Sequence, residues 1–350
     1  MAYTTIDNPE LYFQCKTYSG TGSAASITFD GSENMQPDIV WIKTRSTTGN
    51  HGIWDSVRGA TKQIYPNVNY GESTAANSMT AFNSDGFSVG SDGDQNGSGN
   101  SLVAWCWKVN SSTVTNSSGN ISATVAVNDS IGMSIMSYTG DGQNARSIGH
   151  SLSAKPKVYL IKARSYSVDW QMFVEELGAG GRLQLSTNEA FDTSSTVFGN
   201  TVPTSSLLYV GANSSTDSAT NKVSATYICY AFRPIQGYSA MGTYKGNGDD
   251  SGPFIYTGFR PAMVIYKNKA RAISWLIHDN KRLGYNPNND EQHPDTNQVD
   301  GTDDRADILS NGFKIRESSN LMNVDGEEVL YIAFAEAPFV NSKGVPCNAR

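Results

Sequence analysis

The apolar positions of this chain fall into short runs, and the runs return in the same order three times. The first is Tyr-x-Gly-x-Gly, opening at Tyr18, Tyr138 and Tyr244. The second is a run of six residues rich in Val, Ile, Tyr and Trp, opened by Pro37, Pro156 or Pro261 and closed by Lys43, Lys162 or Lys267. The last alternates aromatic with small residues around Trp105, Tyr230 and Phe334. A fourth, weaker run lies between: Phe87 and Val89 after Asp85-Gly86, Phe313 and Ile315 after Asn311-Gly312, and Leu208 to Val210 in the middle copy. Tyr-to-Pro spacings of 19, 18 and 17, and Pro-to-aromatic spacings of 68, 74 and 73, make chance recurrence untenable.

Each run reads as a strand. An opening Pro is tolerated where a strand's first N–H is not needed. Alternation of period two places the aromatics on one face and Ala or Cys on the other, so a second sheet can approach closely. The pattern predicts an all-β protein of three tandem β-sandwich modules of about 100 residues, each folded separately. The expected layout is an N-terminal arm at 1–13, repeat 1 at 14–109 and a Ser/Asn/Thr-rich linker and strand at 110–132. Repeat 2 follows at 133–235, repeat 3 at 236–340 and a C-terminal tail at 341–350. Helical turns are predicted only at 187–191 and 305–309.

Composition narrows the classes. Only 38% of residues are apolar, yet 6 Trp, 17 Tyr and 13 Phe need burial, which argues against disorder. The net charge of −7 carries no basic stripe, so nucleic acid is not an expected partner. No apolar run approaches the ~18 residues of a membrane span, and residues 1–9 lack the features of a signal peptide. Cys106 and Cys229 fit as small buried hydrophobes, and no Cys-x-x-Cys occurs. Free thiols are expected, with a Cys15–Cys347 bridge as the alternative. No metal or cofactor is expected.

The candidate chemistry follows the Pro-to-Lys strand, where each copy carries a Trp: Trp54, Trp170 and Trp275. Asp55 and Arg58 lie three apart, as do Asp279 and Arg282 beside His278, while the second copy has Glu175 and Glu176 and no Arg. An Asp–Arg clamp of a turn is one reading. The other is a binding face, because sugar C–H faces stack on aromatics while polar side chains bond the hydroxyls. Asp92, Asp94 and Asn96 match the first half of a calcium loop, but its twelfth position is Val103 rather than Glu. No nucleophile–base set and no singled-out carboxylate pair appears, so no enzyme is expected.

Residues 36–43, 54–59, 82–87, 103–107, 255–261, 277–282 and 333–339 together resemble a family of marine bacteriophage proteins. The resemblance implies virion structural proteins with concanavalin-like, lectin-type sandwich modules. The Glu-x-Asp-x-x-Glu signature of the related glucanases is absent. The expectation is a non-enzymatic virion surface appendage, of tail-fibre, spike or head-fibre type, recognising host surface glycans. A capsid or tail decoration protein is the alternative. Other virion proteins, host polysaccharide and copies of itself are the expected partners, with no membrane insertion. Assembly is expected in the host cytoplasm and residence on the virion, docked through the arm or the tail.

Overall fold

A computed structural model of the chain describes residues 3–193, 196–211, 219–282, 286–287 and 290–347. Its regular structure is antiparallel strand, interrupted among the described residues by helical turns at Pro9–Leu11, Gly93–Asn96 and Glu175–Leu177. The helical turn expected at 305–309 is instead the strand Ala306–Leu309. Its buried and half-buried positions alternate with period two, which a helix cannot satisfy. No helix forms at 187–191.

Module 1 has a four-stranded sheet in the spatial order Phe13–Ser19, Ser101–Trp107, Ile39–Thr44, Gly52–Asp55. Module 3 repeats it as Ser239–Lys245, Glu328–Pro338, Phe259–Asn268, Leu276–Asp279. Module 2 does so as Met133–Thr139, Thr226–Phe232, Val158–Ala163, Gln171–Val174. It then adds Ala123–Asn128 and Val114–Asn116 outside Met133–Thr139, making six strands. A smaller sheet covers one face of each. Ile27, Phe87 and Val89 pack on Val40, Ile42 and Ala104 in module 1, and Ile255, Phe313 and Ile315 pack on Val264, Val329 and Ala333 in module 3.

The three sandwiches are not separate, contrary to the expectation from sequence. The opposite faces of all three large sheets meet in one core that holds Trp105 and Trp107, Ile228 and Tyr230, and Ile332 and Phe334. The reason is visible in the strand Ile39–Thr44, which is buried at every position. A free-standing antiparallel sandwich leaves its outer faces to water. Here that face carries Ile39, Val103, Ile332 and Phe334 beside Trp and Tyr, and each such aliphatic or Phe side chain stabilises by roughly 1.5–3 kcal/mol when buried, so the modules cover one another. On the central axis a wholly apolar void of about 60 Å³ remains, touched by Trp41, Leu160 and Ile265 from equivalent positions.

Register fixes which residues are equivalent. Cys15 opposes Trp105, Ile135 opposes Tyr230 and Met241 opposes Ile332, so the counterpart of Trp105 and Tyr230 is Ile332, not Phe334. Phe334 belongs with Trp107 and Phe232, and these rings close one end of the core. Trp107 lies 5.4 Å and Phe232 6.0 Å from Phe334 between centroids. The Tyr-x-Gly-x-Gly marker also has a physical cause. A Cβ on Gly20, Gly140 or Gly246 would fall 2.1–2.3 Å from a backbone carbonyl oxygen, and Gly22, Gly142 and Gly248 have φ of +70°, +75° and +68°.

Closure is cyclic. Each module sends a loop beneath its neighbour, started by the bridges Ile53–Ile64, Met172–Leu183 and Ile277–Gln292. Trp170 Nε1 of module 2 donates to Tyr65 O of module 1 (2.7 Å), and Trp275 Nε1 of module 3 to Gln184 O of module 2 (3.0 Å). The equivalent His51 of module 1 reaches His293 O of module 3 at 3.1 Å. Trp41 Nε1 donates to His51 Nδ1, which leaves the ring proton on Nε2 to make that bond. The N-terminal arm, expected to be free for docking, is taken up by its own body. Thr4 Oγ1 donates to Gln236 O at 2.8 Å, Ile6 is buried in the central core, and Asp7 accepts from Ser342 N and Oγ at 2.6 Å. All four cysteines are free, Cys347 exposed and the others buried.

Candidate functional site

Pairing places the predicted site residues. Ile39 opposes Asp55, Val158 opposes Val174 and Met263 opposes Asp279, so Asp55, Val174 and Asp279 are equivalent. Three residues on stand Arg58, Leu177 and Arg282. Asp279 accepts from Arg282 N and Nε at 3.0 and 2.7 Å, and Arg58 binds Asp55 the same way. All four side chains are fully buried.

Each pair also accepts a donor from the neighbouring module. Tyr230 Oη donates to Asp55 Oδ2 at 2.6 Å, and Trp105 Nε1 to Asp279 Oδ2 at 2.9 Å. On the far side Arg58 reaches Glu72 (3.3 Å), which Arg164 of module 2 grips at 2.8 and 3.0 Å. Likewise Arg282 reaches Asp300 (3.2 Å), which Arg45 of module 1 also binds. Two of the three module junctions thus carry an unbroken chain of alternating charge. Burial alone would raise the Glu72 carboxyl, but Arg164 and Arg58 outweigh it and hold it below its usual range. Arg282 does the same for Asp279 against still deeper burial.

These residues therefore clamp junctions and offer nothing to an outside ligand. The Trp set is corrected in the same way. Trp54, Trp170 and Trp275 are all fully buried, and Trp54 is not even equivalent to the other two. It lies three residues past His51, inside the sandwich core of module 1. Its counterpart in module 3 is His278, a buried ring whose pKa burial pushes down to about 3, packed edge-on to Tyr266 at 5.6 Å.

The weak calcium candidate also dissolves into local structure. Asp92 Oδ1 accepts from Asp94 N at 2.9 Å and so caps the short helix, and Asp94 Oδ2 accepts from Asn50 N. Asn96 is buried, accepting from Thr21 N and donating to Ser23 O and Gly90 O. Asn221 and Asn323 pin the other two Gly-x-Gly turns in the same manner, accepting from Asp141 N and Asn247 N. No cluster of three or more His, Cys, Asp or Glu among the described residues could hold a metal.

What is common to all three modules maintains the closed body, so sites are to be sought where the repeat is broken. Two surfaces qualify. On the edge strand Phe254–Tyr256, Phe254 and Tyr256 are 45% and 52% exposed, where register gives module 1 Ser26 and Thr28. The second is a polar groove of about 550 Å³ on the six-stranded sheet of module 2, bordered by Thr115, Thr124, Ser137, Thr139, Arg164 and Thr226. It exists because only module 2 has the two extra strands. None of these residues stood out in sequence, although the alternation of hydroxyl residues at 122 and 124 and at 137 and 139 marks an exposed sheet face.

The sequence family described as Domain of unknown function (DUF7483) matches residues 8–338. The chain belongs to that family. No curated protein and no solved structure matches it. The DUF7483 match runs through all three modules as one unit, in keeping with a core that none of them closes alone. Chemically, the buried Asp–Arg pairs of this DUF7483 chain are committed to each other. Its two asymmetric surfaces offer hydroxyls and aromatic faces, which suit recognition.

Proposed function

We propose that this protein is a non-catalytic surface component of a bacteriophage virion, an appendage that engages host surface glycans. The observation that carries the reading is cyclic closure. One chain builds a body of approximate three-fold form, with two buried junctions of alternating charge and a third that is apolar. Such a body can occupy a three-fold position on a particle as a single chain, and it leaves module 2 and module 3 with one distinctive surface each. The likeness of residues 36–43, 54–59 and 333–339 to marine phage virion proteins supports the setting. The exposed Phe254 and Tyr256 support contact with sugar rings.

Pure protein is incubated with host cells and with host polysaccharide. Saturable cell binding without release of reducing ends supports the appendage. Steady cleavage of the polysaccharide overturns it. The same three-fold form favours a second reading, a decoration protein docked to the shell, and binding to bare capsids but not to cells selects that one.

A further inference from the structure

We infer that the groove on the six-stranded sheet of module 2 is a binding site for a neutral saccharide. The inference rests on the glycan reading above and assigns it a place.

The groove is built by the asymmetry of the repeat. Ala123–Asn128 pairs with Met133–Thr139, putting Thr124 opposite Ser137, and Val114–Asn116 extends the same face with Thr115 opposite Thr124. Thr139 opposes Thr226 on the inner side, and Arg164 stands at the junction with module 1. The result is a concave patch of side-chain hydroxyls about one strand spacing, ~4.8 Å, apart. Its volume of about 550 Å³ lies within the ~300–1,000 Å³ of small-ligand sites.

Charge decides the ligand class. Arg164 is spent on Glu72 at 2.8 and 3.0 Å and on Ser137 Oγ at 3.1 Å. Asp141 is spent on Arg146 at 2.6 Å and Asn221 at 2.8 Å. Every charge at the rim is thus neutralised by the protein itself, so neither an anionic nor a cationic ligand gains an ion pair there. What remains is hydrogen-bonding capacity. Among the described residues, the hydroxyls of Thr115, Thr124, Thr139 and Thr226 have no hydrogen bond to the protein, and each can both donate and accept. A neutral polyhydroxylated chain presents the same two functions at similar spacing. No aromatic face lines the groove openly, so single-site affinity is weak, and attachment relies on many copies per particle.

The test uses the full chain and two hydroxyl-to-methyl changes, Thr124→Val and Thr139→Val, which keep β-branched residues on exposed strand positions. Saturation-transfer NMR is recorded with neutral hexasaccharides (cellohexaose, maltohexaose, laminarihexaose, chitohexaose) and with hexagalacturonate as the anionic probe. The inference expects transfer to at least one neutral probe and none to hexagalacturonate. It expects binding to fall by roughly tenfold or more in T124V/T139V, as losing two ordinary hydrogen bonds implies, at unchanged melting temperature. No transfer to any neutral probe, preference for the anion, or binding indifferent to the double change overturns it. Cell binding is measured on the same two proteins. If cell binding is saturable and the double variant retains it in full, the groove is excluded while the appendage reading stands. If the parent protein binds no cells, the wider reading fails as well.

Discussion

The junctions of module 1 with modules 2 and 3 are ionic, and the junction of module 3 with module 2 is not. Where the first two place Asp55 and Asp279, the third has Val174, and where they place Arg58 and Arg282, it has Leu177. The donors change in step. Tyr230 and Trp105 deliver a hydrogen bond to a carboxylate, while their counterpart Ile332 has none to give. Eight residues past the start of each loop, Glu72 and Asp300 pair with Arg164 and Arg45, but Phe191 stands in the third copy and Lys269 turns to Glu328 of its own module. The backbone is indifferent to this exchange. Glu72 N, Asp300 N and Phe191 N all donate to the carbonyls of Arg164, Arg45 and Lys269, at 2.7, 2.9 and 2.8 Å. One junction geometry is therefore filled by either of two chemistries, provided that every position changes together. A lone member of the ionic set would be a buried charge without a partner.

That contrast predicts unequal fragility. Asp55→Ala leaves the buried Arg58 only its longer contact with Glu72 (3.3 Å) as a charge partner and should cost ~3–5 kcal/mol, as for other broken buried pairs. Val174→Ala at the apolar junction loses only packing, about 2 kcal/mol. Urea unfolding of the two variants beside the parent protein ranks them, and the reverse order would refute the contrast.

Converting the fully buried part of the junction is the sharper test. The triple change Asp55→Val, Arg58→Leu, Tyr230→Phe gives those three positions apolar side chains, keeps the ring and leaves the outer Glu72–Arg164 pair in place. Replacing a buried pair by apolar groups is often neutral or stabilising. The triple variant should therefore recover most of what Asp55→Ala loses. A triple variant that unfolds at lower urea than the single one would show that the charge chain stabilises beyond satisfying itself. Tyr230→Phe alone removes one hydrogen bond to a carboxylate and should cost about 1.5–3 kcal/mol by the same assay. No loss would mean that the inter-module bond is incidental.

Much of this body is legible in the sequence, and the parts that are not share a cause. The period-two runs announce strands, and the repeated glycines mark places where a carbonyl approaches within contact of Cα. Alternation, however, is unchanged by a slip of two residues, which returns every side chain to the same face. Phe334 could therefore stand in for Ile332, and only the bulge beside Pro261 and the pairing with Met241 fix the register. Residue type misled at Trp54, where the equivalent of Trp170 is His51, a smaller ring doing the same donating job. The Asp–Arg spacing offers a turn clamp as one of two readings, and the partners that complete the clamp, Tyr230 and Trp105, lie more than 170 residues away. Sequence states what a strand face must bury. It does not state which face of which neighbour will cover it, and here that neighbour is another module.

One device ignores the ionic–apolar difference, and it supplies the smallest expected effect. Lys43, Lys162 and Lys267 are equivalent and buried, and burial lowers each ammonium to about 8 from 10.5. Lys162 donates to Asn69 O of module 1 at 3.2 Å, across an ionic junction. Lys267 donates to Asn188 O of module 2 at 3.0 Å, across the apolar one. Because the folded value lies below the unfolded one, the unfolded chain holds more protons between pH 8 and 10.5, and stability should rise with pH across that window. Below pH 8 the penalty of the buried charge is fully present. Two kinds of group act in the opposite sense: buried tyrosines such as Tyr138 and Tyr159, whose phenols burial pushes well up, from about pH 10, and the buried thiols of Cys15, Cys106 and Cys229, pushed well up by the same cause, from about pH 8.5. The lysine contribution is therefore read between pH 8 and about 9.5 as a difference from the parent protein, in which the thiols are the same. Lys162→Met and Lys267→Met should each lower the slope of urea midpoint against pH to a similar degree, although their carbonyl partners lose a donor and both proteins start less stable. The junction-converted triple variant should keep the full slope. If Lys162→Met flattened the curve and Lys267→Met did not, the lysines would belong to the ionic junctions rather than to the closure that all three modules share.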